Sequence, residues 1–314
     1  MAAGPGALVV VGSLNVDSTS YVAAFPEPGE TVTAHGFVVA LGGKGSNQAV
    51  AAHVAGADVE LVARVGDDAS GDFALAALGR FGLPVDAIER VTDAPTGVAQ
   101  ITVADTGENT VIVTPGANAE LTPAVVDAER DRLASARLVL TQGELPVATI
   151  ERLAEVASGE GARFVLNLAP PVALSPATLA VCDPLVVNEH EARAVGIGAD
   201  VPAGASLETW SPLAADAAGR LARSIVITLG AAGAVAASAD GTYAVPAPRV
   251  DAVDSTGAGD GFTGTLAAYL AEGRTLDEAV RIAVAAGSLA VQARGTVDSY
   301  APRAAVLAAA GLTE

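Results

Sequence analysis

The sequence predicts an α/β fold: a doubly wound, mainly parallel sheet flanked by helices, with a small projecting β-sheet lid. Three observations predict it. Short apolar runs alternate with Ala-rich stretches of helical spacing along most of the 314 residues. Those runs are apolar throughout, as strands covered on both faces by crossover helices must be. Two stretches in the N-terminal half break the rhythm, with strand-like alternation and no helix between them.

Taken in order, the strand runs are Leu8–Val11, Val59–Val62, Leu138–Leu140, Phe164–Leu168, Pro184–Val187 and Ser224–Thr228. Helical stretches separate most of them: Ser46–Ala55, Gly71–Phe81, Pro146–Ala157 and Leu213–Ala222. The irregular segments are Ser18–Val22 with Glu30–Ala40, and the hairpin made by Gly97–Val103 and Asn109–Val113 around Asp105-Thr-Gly107-Glu108. They read as a separate lid, about 18–40 and 97–114, because both flank motifs that look like ligand loops. The alternative is that they extend the edge of the main sheet. Gly204–Pro212 reads as an exposed connection, and Trp210 within it suggests no function. Val250, Ala252 and Val253 read as the end of a further strand. The whole is taken as a single domain over residues 1–314.

Composition narrows the function. Asp and Glu number 36 against 17 Lys and Arg, a formal net charge of −19, which leaves no electrostatic footprint for nucleic acid or an anionic membrane. Any phosphate site must therefore be built locally, from amides, a few cations or a metal. Hydrophobic residues make up 51% and charged residues 17%, which excludes wholesale disorder. Cys182 is the only cysteine, set among apolar neighbours, so no intrachain disulfide forms and a reducing cytoplasm fits. Residues 1–6 lack the positive n-region of a leader, and the apolar stretch Ile225–Ala239 is too short and too glycine-interrupted to span a bilayer.

In doubly wound sheets ligands gather at the carboxyl ends of the strands, so the motifs that follow strands carry the argument. The richest is Asp254-Ser-Thr-Gly257-Ala258-Gly259-Asp260-Gly261-Phe262. Phe262, Leu266, Tyr269 and Leu270 recur behind it at helical spacing, so the glycines open a helix. The first amides of a helix have no intrahelical partner and the dipole adds positive charge, which favours phosphate. Asp260 would repel that phosphate unless it has a task, such as taking a proton from an attacking hydroxyl. The plainer reading is an acid complementing the helix dipole. Gly259–Gly264 also fits G-x-G-x-x-G.

Asn15 and Asp17, two apart after the first strand, either grip vicinal hydroxyls or cap a local turn. Gly42-Gly43-Lys44-Gly45-Ser46-Asn47 opens a helix but fails the P-loop pattern, since Val38 stands where the first Gly belongs. Asn188 and Glu191 share a helix face and could position hydrated Mg²⁺, form a capping box, or do both. Thr228-Leu-Gly230-Ala-Ala-Gly233 either lies against a nucleotide or is an ordinary tight turn. Glu144 ends a strand and could accept a sugar hydroxyl.

These stretches, in this order, resemble the ribokinase-like (PfkB) family of sugar kinases. The resemblance rests on Gly12–Asp17, Phe25–Val32, Gly42–Ala52, Gly66-Asp-Asp68, Gly107-Glu-Asn109, Gly116-Ala-Asn118, Asn188–Glu191 and Val253–Asp260. It implies ATP-dependent phosphorylation of ribose at its 5-hydroxyl, with a homodimer formed through the lid. By similarity Asn15, Asp17, Gly43, Lys44, Asn47 and Glu144 would surround the sugar, with Asp260 as base. Gly257, Ala258 and Gly259 would form the anion hole. Asn188, Thr228, Leu229, Gly230, Gly233 and Val284 would lie along ATP, and Glu191 would help to place Mg²⁺. A K⁺ ion would be held by the side chains of Asp254 and Ser299 and the carbonyls of Thr256, Ala290, Ala293 and Gly295. Gly143, Gly261, Thr263 and Val284 depart from the residues that members often carry there.

Besides a catalytically silent sugar binder, against which the intact Asp260 and the glycines at 257 and 259 argue, two kinds of competing function follow from the sequence. One keeps the chemistry and changes the acceptor to deoxyribose, another pentose, fructose or a nucleoside. The other is a dinucleotide-binding oxidoreductase resting on Gly259–Gly264. That cluster comes late, and no acidic residue follows at the ribose-binding spacing in a βαβ context, since Asp277 and Glu278 lie in a predicted helix.

Overall fold

Residues Leu8–Val11 show in miniature how the chain folds. In the computed structural model, which describes residues 8–313, this strand (β1) lies inside a nine-stranded sheet. Leu8 and Val10 point into one apolar core and Val9 and Val11 into the other, all four fully or almost fully buried. A strand buried on both faces needs no polar alternation, and its sequence has none. Residues 1–6, read above as no leader, lie outside the described residues.

The strands that follow are β2 (Asn15–Val22), β3 (Gly36–Gly42), β4 (Val59–Gly66), β5 (Ile88–Val91), β6 (Gly97–Ala104) and β7 (Asn109–Thr114). After them come β8 (Leu138–Gln142), β9 (Arg163–Asn167), β10 (Cys182–Asn188), β11 (Ile225–Thr228), β12 (Gly233–Ser238) and β13 (Gly241–Pro246). The large sheet runs β13-β12-β11-β10-β9-β8-β1-β4-β5. It is parallel from β11 to β5 and ends in the antiparallel pairs β11–β12 and β12–β13. Helices Lys44–Val54, Ala69–Arg80, Ala258–Ala271, Leu276–Ala290 and Arg303–Ala309 cover one face. Helices Pro123–Ala128 through Leu207–Ala217 cover the other. The strands β3-β2-β6-β7 form a separate four-stranded sheet, so the irregular segments make a lid and do not extend the main edge.

Three sequence readings need correction. Gly204–Pro212 is not an exposed connection: Leu207–Ala217 is helical, with Pro212 inside it, and Trp210 is fully buried. The helix expected at Leu213–Ala222 therefore begins six residues earlier, where Ser206 is its N-cap, and ends before the loop at 218–222. Its apolar face is anchored by the Trp210 ring, over which the Arg193 guanidinium sits at 5.6 Å. Val250–Val253 is not a strand end: residues 247–257 are irregular, and Val250 and Val253 are exposed. Val253 N and Asp254 N instead donate to the Val291 carbonyl, tying this loop to the end of Leu276–Ala290. The hairpin β12–β13 was missed, because its Ala-rich first strand has no distinctive alternation.

Candidate active site

At the carboxyl end of β1 the chain runs directly into β2 of the lid sheet, while Glu144, Asn188 and Thr228 lie at or just past the carboxyl ends of β8, β10 and β11. Asn15 and Asp17 are the first and third residues of β2, so both face the same side of the lid sheet. Asn15 is buried and its Oδ1 accepts from Asn118 Nδ2 at 2.7 Å, while Asn118 Oδ1 accepts from Leu14 N at 2.9 Å. Asn118, which the sequence reading did not name as a site residue, is therefore the clamp that aims Asn15. Gly97 makes this possible, because a Cβ there would stand 2.2 Å from Asn15 Oδ1.

The helix Lys44–Val54 starts at Gly43, whose φ of 89° lies in the left-handed region that only glycine enters cheaply. Its first turn supplies Lys44, Asn47 and Gln48. Opposite it, Ala258–Ala271 starts at Gly257, also left-handed with φ 72°, and its first turn carries Asp260. The two helices meet closely because Gly264 has no Cβ; one would lie 2.3 Å from the Gln48 carbonyl oxygen. So the third glycine of the apparent dinucleotide pattern is a helix-packing residue.

Asp260 is 6% exposed and fully engaged. Asn47 Nδ2 donates to its Oδ2 at 3.0 Å and Gln48 Nε2 to its Oδ1 at 2.8 Å, with Lys44 Nζ 3.9 Å from Oδ1. Gln48 is held in turn by Gln142 Nε2, which donates to its Oε1 at 2.8 Å, and by Asn167 Oδ1 at 2.9 Å. This buried amide network fixes the carboxylate from behind. The proximity of Asp260 raises the Lys44 pKa against the opposing effect of burial, with Glu144 and Glu191 adding to it. Lys44 is therefore a firm cation in a chain that is otherwise acidic.

Asp17 lies in the same field. Burial first, then Glu144 and Asp260, push its carboxyl from the ordinary value of 3.8 to about 6. Its Oδ1 is shut from solvent and has no hydrogen-bond partner, and the same is true of Asn47 Oδ1. Asp17 Oδ1 lies against Gly42, where a Cβ would be 1.9 Å away, so Asp17 and Asn47 each keep an unpaired acceptor next to the charged groups Lys44, Glu144 and Asp260. Glu144 Oε2 accepts from Ser13 Oγ at 2.5 Å and from Lys44 N at 3.0 Å, which pins it to the start of the Lys44 helix.

At the opening of Ala258–Ala271, Ala258 N makes a long 3.3 Å bond to Ser255 O. Among the described residues the amides of Gly257, Gly259 and Asp260 have no protein acceptor. They form the free positive end of the helix, next to the Asp260 carboxylate. Tyr300 Oη donates to Gly257 O at 3.1 Å, and its ring lies 2.9 Å from where a Gly261 Cβ would be. The glycine at 261 thus makes room for the tyrosine that holds the turn.

Asn188 and Glu191 form a full capping box. Glu191 N donates to Asn188 Oδ1 at 2.9 Å, Asn188 N to Glu191 Oε2 at 2.7 Å, and Asn188 Nδ2 to Glu191 Oε1 at 2.8 Å. Burial raises the Glu191 pKa against the Asn188 amide and the Lys44 charge, which lower it. Asn188 pairs in register with Thr228 on the neighbouring strand, so the capping box and the Thr228–Gly233 turn are adjacent. That turn is closed by Leu229 N donating to Gly233 O at 2.8 Å, with Gly230 and Gly233 at positive φ. Val284 is buried in the core on Leu276–Ala290.

Asp254 accepts from Thr256 N at 2.9 Å and Gly295 N at 3.1 Å, and Ser299 Oγ donates to Thr296 O at 2.7 Å. The loops 253–256 and 290–299 therefore fold onto one another. Burial opposes ionisation of Asp254, but the Thr256 and Gly295 hydrogen bonds and Arg294 hold its pKa below the ordinary value.

The sequence model of the pfkB family of carbohydrate kinases matches residues 6–303. A ribokinase of Schizosaccharomyces pombe is 36% identical over 300 residues, covering 93% of this chain and 94% of its own. A deoxyribokinase of Salmonella typhi is 32% identical over 297 residues, covering 93% and 95%. The structure of Arabidopsis thaliana ribokinase complexed with ribose and ATP superposes with a TM-score of 0.89 at 30% identity, covering all of both chains.

Proposed function

The chain belongs to the pfkB family of carbohydrate kinases, and from that premise we propose that it transfers the γ-phosphoryl group of ATP to the 5-hydroxyl of D-ribose. One observation carries the reading: a buried carboxylate, Asp260, fixed by two side-chain amides, sits beside free helix amides with Lys44 3.9 Å away and Asp17 within its electrostatic reach. The products are ribose 5-phosphate and ADP. Asp17, Asn15 and Asn47 accept or donate to ribose hydroxyls, and Glu144 and Lys44 close the sugar pocket beside Gly43. Asp260 orients the 5-hydroxyl and takes its proton as the O–P bond forms and the bond to ADP breaks. The amides of Gly257, Gly259 and Asp260 stabilise charge on the phosphoryl group in flight, with Ala258 shaping the turn. Asn188 and the Thr228–Gly233 turn flank ATP, with Leu229 and Gly230 lining it and Val284 backing the adenine side. The lid excludes water, which would otherwise accept the phosphoryl group.

Two metals fit the donor set. Among the described residues no group of three or more His, Cys, Asp or Glu could hold a metal ion. A single Glu191 whose oxygens already accept from Asn188 suits Mg²⁺ that keeps its waters and rides on the triphosphate. Bound there, Mg²⁺ would offset phosphate charge. Asp254, Ser299 and the carbonyls of Thr256, Ala290, Ala293 and Gly295 are an all-oxygen set suited to K⁺, whose charge would support the helix opening nearby.

Exposed apolar residues on both lid edges support a homodimer through the lid. Phe37, Val38 and Val39 on β3 and Val111, Ile112 and Val113 on β7 are 42–65% exposed, more apolar surface than a lone lid tolerates well. Among the described residues no helix is long and apolar enough to cross a membrane, and the one thiol is buried, which supports a cytoplasmic place.

A second reading, deoxyribose as acceptor, is favoured by the Salmonella typhi relative. An ATP-coupled panel of ribose, deoxyribose, other pentoses, fructose and nucleosides, with and without K⁺, separates these. Ribose should show the highest kcat/KM. Preference for another acceptor by about tenfold, or about 1.4 kcal/mol in transition-state binding, would overturn the assignment.

A further inference from the structure

The opposite end of the sheet gathers positive charge that the reaction does not use. Arg137 immediately precedes β8, Arg163 opens β9, Arg223 lies two residues before β11, and Arg274 follows the helix Ala258–Ala271. With Gly273 and one carboxylate, Asp183, among the other lining residues, they border a cavity of about 350 Å³. The catalytic groups stand at the carboxyl ends of these strands, so this cavity opens at the amino ends.

Four of the chain's 17 cationic residues share this pocket in a protein of net charge −19. Two have acidic partners: Arg163 pairs with Asp183 at 3.0 Å and Arg274 with Glu278 at 3.7 Å. Arg137 and Arg223 are exposed and make no side-chain hydrogen bond or ion pair among the described residues. Gly273, at φ 90°, has no Cβ where Arg137 Nη2 would be only 2.7 Å away, so the guanidinium closes onto the glycine at the pocket wall. Four guanidinium groups repel one another, and two carboxylates offset only half of that. A shared anion would offset the rest, and guanidinium forks match phosphate oxygens in pairs.

We propose that this pocket is a second anion site, distinct from the catalytic cleft, which takes a compact ligand carrying two or more phosphate charges. Its volume admits a pyrophosphate-sized group with waters, and its position leaves the lid and the sugar pocket untouched.

Inorganic pyrophosphate is the probe, titrated calorimetrically into the full chain with the catalytic site saturated by a non-hydrolysable ATP analogue. The expected result is one remaining binding event that weakens with salt. It should weaken by about tenfold or more in Arg137→Gln and again in Arg223→Gln, because each removes a charge-assisted contact. The exposed Arg249→Gln should leave it unchanged. Thermal melts of all variants establish that folding is intact. No binding under saturated analogue, binding unaltered in both pocket variants, or equal weakening in Arg249→Gln would each overturn the proposal.

Discussion

Asp17→Asn should make the empty protein more stable and a worse kinase, and the size of the first effect follows from the site. Burial, Glu144 and Asp260 together raise the Asp17 carboxyl from 3.8 to about 6. At about 1.4 kcal/mol per pH unit that difference corresponds to about 3 kcal/mol. Because the folded pKa is raised, the contribution of Asp17 to stability is complete below pH 3.8 and is lost as pH climbs through about 6. At pH 8 the ionised group weakens the fold, and replacing it by an uncharged amide of the same shape removes the penalty. Urea unfolding of parent and variant at about pH 4 and pH 8 reads this directly. The variant should gain little at the lower pH and up to about 3 kcal/mol at the higher. Its KM for ribose should rise by about tenfold or more, since a hydrogen bond to a charged acceptor is worth about 1.5–3 kcal/mol. In the parent, KM should climb as pH falls below about 6 for the same reason. A stability gain that is equal at both pH values, or absent at pH 8, would refute the electrostatic account of the pocket.

Three further outcomes follow from the same geometry. Gln48→Ala removes the donor to Asp260 Oδ1, so kcat should fall about tenfold while KM for ATP holds, by steady-state kinetics; an unchanged kcat would show that Gln48 positions nothing. Gly143→Ala puts a Cβ 2.0 Å from the Pro170 carbonyl oxygen. Overpacking of that kind should lower unfolding free energy by about 1–3 kcal/mol, and a neutral result would show that this loop yields freely. Gly261→Thr crowds the Tyr300 ring, so a double-mutant cycle with Tyr300→Ala should give a coupling of at least ~0.5 kcal/mol, and additivity would deny the contact.

Much of this was legible in the sequence, for physical reasons particular to each element. The β1 run and its companions were readable because burial on both faces removes polar residues from the strand itself. The lid was readable because its strand-like runs follow one another with no helical stretch between them and a turn at 105–108 closes a hairpin, although β7 itself is exposed throughout. Asp260, Lys44 and Asn47 stood out beside glycines that open helices, and Asn15 and Asp17 because they follow the first strand, where ligands gather in such sheets. Gln48, Gln142 and Asn167 were not legible, since a neutral amide inside a helix or strand looks like any surface glutamine until its partners from distant elements are known. Asn118 hid for the same reason, its partners Leu14 and Asn15 lying more than 100 residues away. The Trp210 helix was misread because Pro212 within a Ser/Thr-containing stretch mimics a loop; burial of the indole against the sheet outweighed that local signal. The loop before Gly257 was misread because apolar residues at a sheet's edge and in an exposed loop look alike without a partner strand.

Everything in the reaction scheme turns on Asp260 as the group that receives the ribose proton. The direct measurement is kcat of Asp260→Ala, with ribose binding followed by calorimetry and folding by thermal melt on the same preparation. The account predicts that kcat falls by about 10²–10⁴ while ribose still binds and the protein stays folded. Near-parental turnover in a folded, ribose-binding variant would contradict it.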